Sequence, residues 1–146
     1  TPEPILCMHV CENYAALGLS SGDVHLCTLA PLRTLIRFTA APSAVSAIKL
    51  VTPSQLLCGT ADGEVRMWRL DEDEGSGRRL LRLDGHRGPV VCLDGDGEKV
   101  VSGSRDGTIR VWDVELGSLR FTLQGFTPYL GSVQVAPSWL APRRTP

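Results

Sequence analysis

Histidine and cysteine side chains near the amino terminus of this 146-residue chain alternate in a way that could hold a metal ion. Cys7, His9 and Cys11 would share one face of a strand, and His25 and Cys27 could follow on a neighbouring strand. Thiolate and imidazole are ligands that zinc prefers. The chain lacks the C-x-x-C pairs of structural zinc sites, however, and Cys7 and Cys27 fall at core positions of a repeat. We therefore expect no bound metal.

Acidic residues at Asp94–Glu98 begin like a calcium-binding loop. An EF-hand loop has glycine at its sixth position and glutamate at its twelfth, where this chain has Lys99 and Arg105. The segment is therefore predicted to be a hairpin turn. For nucleophilic catalysis there is no serine in a G-x-S-x-G turn and no cysteine with a histidine in a supporting context. We expect neither an enzyme nor a cofactor.

The composition, with 42% apolar and 21% charged residues, is that of an ordinary globular protein. A net charge of -1 gives no broad basic surface, so nucleic acid is not an expected partner. No apolar run reaches the roughly 18 to 20 residues of a membrane helix. Without a signal-peptide pattern, the expected location is cytoplasmic or nuclear. The five cysteines are expected to be reduced, and the start at Thr1 predicts a piece of a longer chain.

The strongest pattern is a segment that recurs three times. The second and third copies, Gly59–Trp68 and Gly103–Trp112, match position by position, and Gly18–Cys27 is a weaker first copy. Their turn glycines recur about 40 to 45 residues apart, which is the period of a four-stranded β-propeller blade. In each copy a tight turn with glycine joins two alternating strands, a pattern that predicts a β-hairpin.

Further apolar strands flank each hairpin. They are predicted at Ile5–Val10, Val45–Leu50 and Val90–Leu93 before the hairpins, and at Leu32–Phe38, Arg79–Leu83 and Leu119–Leu123 after them. The fold class predicted is all-β, an incomplete propeller of about three four-stranded antiparallel blades plus a remnant of a fourth. The repeats are placed at 1–38, at 39–83 with an extended acidic loop at 71–79, and at 84–124. A partial fourth unit at 125–136 and a disordered, proline-containing tail at 137–146 complete the prediction.

The third copy resembles the WD-repeat family, with a glycine-histidine pair ending at His86, a turn aspartate at Asp106 and a closing Trp-Asp pair beginning at Trp112. The resemblance covers nearly the whole chain. It implies a hydrogen-bonded structural tetrad of His86, Ser102, Asp106 and Trp112. Such donors would satisfy the Asp106 carboxylate, whose burial without partners would be costly.

The earlier copies depart from this pattern. The second keeps Asp62 and Trp68 but has Ala41 at the histidine position and Cys58 at the serine position, so its tetrad is predicted to be broken. The first copy has only fragments of the tetrad. We therefore expect the third copy to be the best-formed blade.

The compact string from Val91 to Asp106, with its short acidic turn, also resembles the repeats of F-box/WD proteins, the substrate-recognition subunits of cullin-RING ubiquitin ligases. This narrower resemblance implies an adaptor whose F-box would precede Thr1 and would bind the other ligase components. In some of those proteins an arginine directly before the turn aspartate faces a phosphorylated substrate motif. Arg105 has that place, and Arg87 could share its face.

Acidic or phosphorylated partner segments are therefore implied as ligands of Arg105 and Arg87. The family's further arginine, before the first-strand cysteine, is replaced here by Leu6 and Val91. Because loops on a rigid scaffold concentrate binding residues, protein binding is the expected function. The alternatives left open are a WD-repeat scaffold subunit of another complex and a truncated, non-functional isoform.

Overall fold

A computed structural model describes residues 3–125 and 132–133, and these contain three four-stranded antiparallel sheets. The first sheet consists of β1 (Ile5–Cys11), β2 (Tyr14–Leu19), β3 (Asp23–Leu29) and β4 (Leu32–Thr39). The second consists of β5 (Val45–Thr52), β6 (Gln55–Thr60), β7 (Val65–Asp71) and β8 (Ser76–Leu83). The third consists of β9 (Val90–Gly95), β10 (Lys99–Ser104), β11 (Ile109–Asp113) and β12 (Ser118–Leu123). The predicted all-β class is confirmed.

Within each sheet the strands pair in chain order. The first strands lie side by side, since β5 contacts both β1 and β9, whereas the last strands are farther apart. This is the fan arrangement of propeller blades. In the part of the chain that the structure describes, no helix is long and apolar enough to cross a bilayer.

The acidic loop of the second sheet is shorter than the predicted 71–79. The strand β8 begins at Ser76, because residues 76–79 continue the antiparallel pairing with the end of β7, up to the pair Asp71 and Ser76. The turn is closed by the Asp71 carboxylate, which accepts backbone N–H bonds from Asp73 and Glu74. The predicted fourth unit at 125–136 and tail at 137–146 lie outside the described residues, apart from residues 125, 132 and 133.

Apolar side chains fill the two spaces between neighbouring sheets. Between the first and second sheets, Leu26 and Ile36 pack with Leu50 and Leu56, all at most 1% exposed. Between the second and third sheets the buried cluster is Ala47, Leu57, Val65, Met67, Leu83, Val90, Val100 and Trp112. Burial of this kind is the main stabilising contribution to a stack of repeats.

A turn glycine couples the second sheet to the third. Gly63 has φ +91°, a conformation in which a Cβ is strained. A Cβ at this position would also collide with the carbonyl oxygen of His86, in the loop that leads into β9. Glycine is therefore required at this turn both by its own backbone and by the approach of the next repeat.

The outer faces of the first and third sheets remain uncovered. On the first sheet, Val10 is 47% exposed, whereas Leu50 at the equivalent place of the second sheet is 1% exposed. On the third sheet, Leu123 is 49% exposed and its counterpart Leu83 is 1% exposed. The same positions are thus core in the middle sheet and surface at both ends.

Candidate functional site

The turn between β10 and β11 is tied to the loop before β9 by the carboxylate of Asp106. Its Oδ2 atom accepts from the backbone N–H of Arg87 at 2.9 Å and from Nδ1 of His86 at 3.2 Å. Its Oδ1 atom accepts from the backbone N–H of Thr108 at 2.9 Å and from the Thr108 hydroxyl. Four donors therefore fix one carboxylate, and with it the relative position of the turn and the loop.

Behind this carboxylate, the histidine continues a hydrogen-bonded chain into the sheet. Nε2 of His86 lies 2.7 Å from the Ser102 hydroxyl oxygen, which also accepts from Nε1 of Trp112 at 2.9 Å. Because an ionised Asp106 carboxylate can only accept, Nδ1 of the neutral His86 ring is assigned the proton, and Nε2 is then left to accept from the Ser102 hydroxyl. The structure thus brings His86, Ser102, Asp106 and Trp112 into one chain with a single direction of proton donation.

The protonation states agree with that direction. Burial lowers the pKa of His86 and outweighs the opposing effect of Asp106, so the ring is neutral near pH 7. Burial alone would raise the pKa of Asp106, but the hydrogen bonds from Thr108, Arg87 and His86 together hold its pKa well below the usual range. A neutral imidazole therefore donates to an ionised carboxylate.

The second sheet lacks this chain. Ala41 is at the histidine position and Cys58 at the serine position, so the buried Nε1 of Trp68 has a thiol, a weak acceptor, beside it in place of a hydroxyl. Burial raises the pKa of the Cys58 thiol to about 12. Asp62, the turn aspartate, is exposed. The turn of the second sheet is therefore held without the tetrad.

Arg105 and Arg87 lie on the same rim of the third sheet. The backbone N–H of Arg105 donates to Pro89 in the loop before β9 at 3.0 Å, and that of Arg87 donates to Asp106. Both arginines are exposed, and neither forms an ion pair with the described residues. The structure therefore presents two uncompensated positive charges on neighbouring, rigidly held loops.

An open cleft of about 500 Å³ adjoins this rim. It is lined by Arg87, Asp106, Gly107, Thr108, Arg110, Thr122, Gln124 and Gly125. Arg110, which lies in β11, is not distinguished by its sequence, because the same position in the second repeat is also arginine, Arg66. The sequence difference that could have distinguished Arg110 from Arg66 lies two residues earlier, where the second repeat has Glu64 and the third has Thr108.

The amino-terminal histidine and cysteines are engaged elsewhere. Cys7 donates to the carbonyl of Val45 at 3.4 Å, and Nδ1 of His9 accepts the backbone N–H of Leu50 at 3.1 Å, so both face the second sheet. Cys27 instead pairs in register with Ala15 and lies 3.7 Å from the Thr34 hydroxyl. Within the described residues no three His, Cys, Asp or Glu side chains are grouped as metal ligands.

The predicted hairpin turn at Asp94–Glu98 is confirmed, since β9 ends at Gly95 and β10 begins at Lys99. Asp96 closes the turn by accepting the backbone N–H groups of Glu98 and Lys99, both at 3.0 Å. Asp94 is buried and forms an ion pair with Lys49 of the second sheet at 3.1 Å. The acidic residues therefore serve the turn and the contact between sheets.

Comparison with known proteins identifies the repeat. Residues 77–113 match the family described as "WD domain, G-beta repeat". The ribosome biogenesis protein YTM1 of Eremothecium gossypii is 31% identical over 86 residues, covering 52% of this chain and 19% of that protein. The zinc finger CCCH domain-containing protein 59 of Arabidopsis thaliana is 38% identical over 71 residues, covering 47% of this chain and 15% of that protein. The chain thus spans less than a fifth of each of these relatives.

Solved structures agree on the architecture. The computationally designed Ika4 protein has a TM-score of 0.79 and 26% identity, covering 94% of this chain and 82% of its own. The RRP9 WD40 repeats have a TM-score of 0.73 and 19% identity, covering 86% of this chain and 40% of theirs, a likeness of fold alone. Residues 77–113 therefore match a WD repeat, and the three sheets resemble the blades of WD-repeat propellers in fold.

Proposed function

We propose that this chain is a protein-binding part of a WD-repeat scaffold and that the rim of the third sheet carries contact residues. The observation behind this proposal is the pair of exposed arginines, Arg105 and Arg87, on two loops that the Asp106 carboxylate locks together. A loop that is already ordered loses little further backbone entropy when its side chains bind a partner. An arginine can also hold a carboxylate or phosphate through two parallel hydrogen bonds. Acidic or phosphorylated segments of other proteins are therefore the proposed ligands of this rim.

Two kinds of assembly are proposed for such a scaffold. A subunit of another multiprotein complex is favoured by the relatives, since the YTM1 proteins of Eremothecium gossypii and Vanderwaltozyma polyspora are named as ribosome biogenesis proteins. A nuclear location would follow from that role. The F-box/WD adaptor of a cullin-RING ligase is supported only by the Val91–Asp106 string, which occurs once in the chain. We therefore place the scaffold in another complex first and the ligase adaptor second.

The two assemblies are separated by an experiment on the full-length protein in its own cells. We expect a tagged protein to sediment with precursor ribosomal particles and to shift to lighter fractions when those particles are dissociated. Stoichiometric binding to purified cullin-RING adaptor subunits, without sedimentation on particles, would instead establish the ligase adaptor.

The rim is tested within the same particles. We expect Arg105→Glu to weaken association with the particle, while Arg33→Glu, an exposed arginine on the outer strand β4 of the first sheet, leaves it unchanged. Equal association of the two variants would show that Arg105 is not a contact residue. The truncated, non-functional alternative is tested separately, by whether residues 1–146 fold cooperatively by themselves.

A further inference from the structure

The strand pairing brings four side chains together at the same place on each sheet. Two come from the start of the third strand or the residue just before it, and two come from the end of the fourth strand or just beyond it. The sets are Asp23, His25, Arg37 and Thr39 in the first sheet, Glu64, Arg66, Arg82 and Asp84 in the second, and Thr108, Arg110, Thr122 and Gln124 in the third. Only the first two sets contain a carboxylate, so the three equivalent places can be compared directly.

In the second sheet the arginine is neutralised by its own chain. Glu64 Oε2 accepts from Nε of Arg66 at 2.9 Å and lies 2.8 Å from its Nη2. Arg82 binds the other carboxylate oxygen at 2.6 Å, and Nη1 of Arg66 donates to the Ala40 carbonyl at 3.1 Å. One carboxylate therefore lies between two guanidinium groups, with the geometry of a charge-assisted pair.

In the third sheet the same arginine has lost that partner. Thr108 replaces Glu64, and its hydroxyl donates to Asp106 instead. The buried Nε of Arg110 has no hydrogen-bond partner among the described residues. The Arg110 guanidinium is nevertheless held in place, with its central carbon 6.0 Å from the centre of the Trp112 ring. A cation is thus positioned where the second sheet carries an ion pair, and no carboxylate among the described residues pairs with it.

The neighbouring charges leave the cleft positive. Arg87 and Arg110 both line it, and the one carboxylate in its lining, Asp106, already accepts four hydrogen bonds from the protein. Thr122 and Gln124 add neutral hydrogen-bonding groups in place of Arg82 and Asp84 of the second sheet. A ligand with one negative charge would balance this lining.

We propose that the cleft lined by Arg87 and Arg110 binds the carboxylate of an acidic side chain from a partner protein, in the place that the Glu64 carboxylate takes in the second sheet. That the partner is a protein rests on the proposed scaffold function. That the ligand is a carboxylate rests on the charges and hydrogen-bonding groups of the cleft. A carboxylate is favoured over a phosphate because the fold supplies a carboxylate to the equivalent arginine. A phosphate near neutral pH carries more than one negative charge and would also exceed the net charge of +1 that Arg87, Arg110 and Asp106 give the cleft.

The first test measures binding of a short oligoglutamate peptide to the full-length protein by calorimetry at low ionic strength. We expect one peptide per chain, and Arg110→Gln should weaken binding about tenfold or more, since it removes a charge-assisted contact. The matched control is Arg66→Gln, which should leave the affinity for the peptide unchanged because Arg66 is already in an ion pair with Glu64. Equal affinity of Arg110→Gln and the parent protein, or no binding by the folded parent, would overturn the proposal. Inorganic phosphate that binds through Arg110 more tightly than oligoglutamate would overturn the choice of carboxylate.

The second test supplies the missing carboxylate from within and keeps every cation. Thr108→Glu should abolish oligoglutamate binding, because the new side chain would occupy Arg110 as Glu64 occupies Arg66. Unchanged peptide affinity in a folded Thr108→Glu protein would contradict the proposal even if Arg110→Gln failed to fold. The outcome is separable from that of the proposed function. If the protein assembles on its particle but does not bind oligoglutamate, only the carboxylate-binding proposal is contradicted. If it binds oligoglutamate but joins no particle, only the scaffold proposal is contradicted.

Discussion

Replacing Asp106 with alanine removes the acceptor of four hydrogen bonds in one step. The donor that suffers most is His86, whose side chain is 0% exposed. Its Nδ1–H would keep only the Thr108 hydroxyl, 3.1 Å away, as a neighbouring polar group. The backbone N–H of Arg87 lies at the exposed rim and can be rehydrated. The loss is therefore concentrated on one buried donor.

The magnitude follows from that division. A buried donor left unsatisfied costs about 1 to 3 kcal/mol, and each hydrogen bond exchanged for water costs about 0.5 kcal/mol or more. We therefore expect Asp106→Ala to lower the free energy of unfolding of the third sheet by about 2 to 4 kcal/mol. Asp62→Ala, at the equivalent but exposed position of the second sheet, should cost less than about 0.5 kcal/mol. Asp106→Asn should lie between the two because it keeps one acceptor oxygen.

The assay is hydrogen exchange of the full-length protein, followed separately for the β10–β11 and β6–β7 hairpins. Exchange resolves the opening free energy of each region, which a global melting curve of a repeat protein does not. We expect faster exchange in β10–β11 of Asp106→Ala and unchanged exchange in β6–β7 of Asp62→Ala. Equal losses in the two variants would show that the hydrogen-bonded chain behind Asp106 does not stabilise the third sheet.

Three further outcomes follow from the geometry, and one from the open faces. Because burial lowers the pKa of His86, the stability that this residue contributes is full above its unfolded pKa of about 6.5 and is lost as pH falls below that value. The urea midpoint of unfolding should therefore fall between pH 7.5 and 5.5, and a midpoint that rises on acidification would contradict this. Gly63→Ala should lower the thermal midpoint more than Gly97→Ala, since both glycines have positive φ but a Cβ at Gly97 meets nothing within 4 Å. Equal shifts would show that backbone strain alone, and not the contact with the next repeat, accounts for the loss of stability. Native Cys7 and Cys58, with pKa values raised by burial to about 11 and about 12, should resist iodoacetamide at pH 8 and react in urea, as mass spectrometry of the labelled peptides would show. Expressed alone, residues 1–146 should associate or unfold gradually because both end sheets expose apolar faces; a compact monomer with a sharp, reversible transition would refute this.

The architecture was predictable because the repeat carries its own geometry. A turn ending in Gly63 or Gly107 between alternating strands specifies a hairpin, and the spacing of the copies specifies four strands per unit. The start of β8 at Ser76 was not predictable from the charged composition of the segment. It depends on how far the backbone pairing with β7 continues, which is decided by the twist and the neighbouring sheet more than by side-chain charge.

The cleft at Arg110 was missed for a related reason. Each residue that lines it is ordinary in sequence, and the arginine itself is shared with the second repeat as Arg66. Its chemistry appears only when Thr108 is recognised as the counterpart of Glu64 and when both are seen on the same face as their arginine. Strand register supplies that information, and one copy of the repeat read by itself does not.

The residue at position 108 accounts both for the complete tetrad of the third sheet and for the missing carboxylate partner of Arg110. In the first sheet the residue that starts the third strand, Asp23, accepts a hydrogen bond from Thr39 of β4, and in the second sheet Glu64 neutralises its arginine. In the third sheet that position is Thr108, whose hydroxyl and N–H both bind Asp106. A carboxylate at position 108 would pair with Arg110 but would repel Asp106. One residue therefore cannot both donate hydrogen bonds to Asp106 and neutralise Arg110. Completing the tetrad in the third sheet therefore leaves Arg110 without the carboxylate that Arg66 has in the second sheet. Thr108→Glu should restore that internal ion pair while weakening the rim that Asp106 holds together.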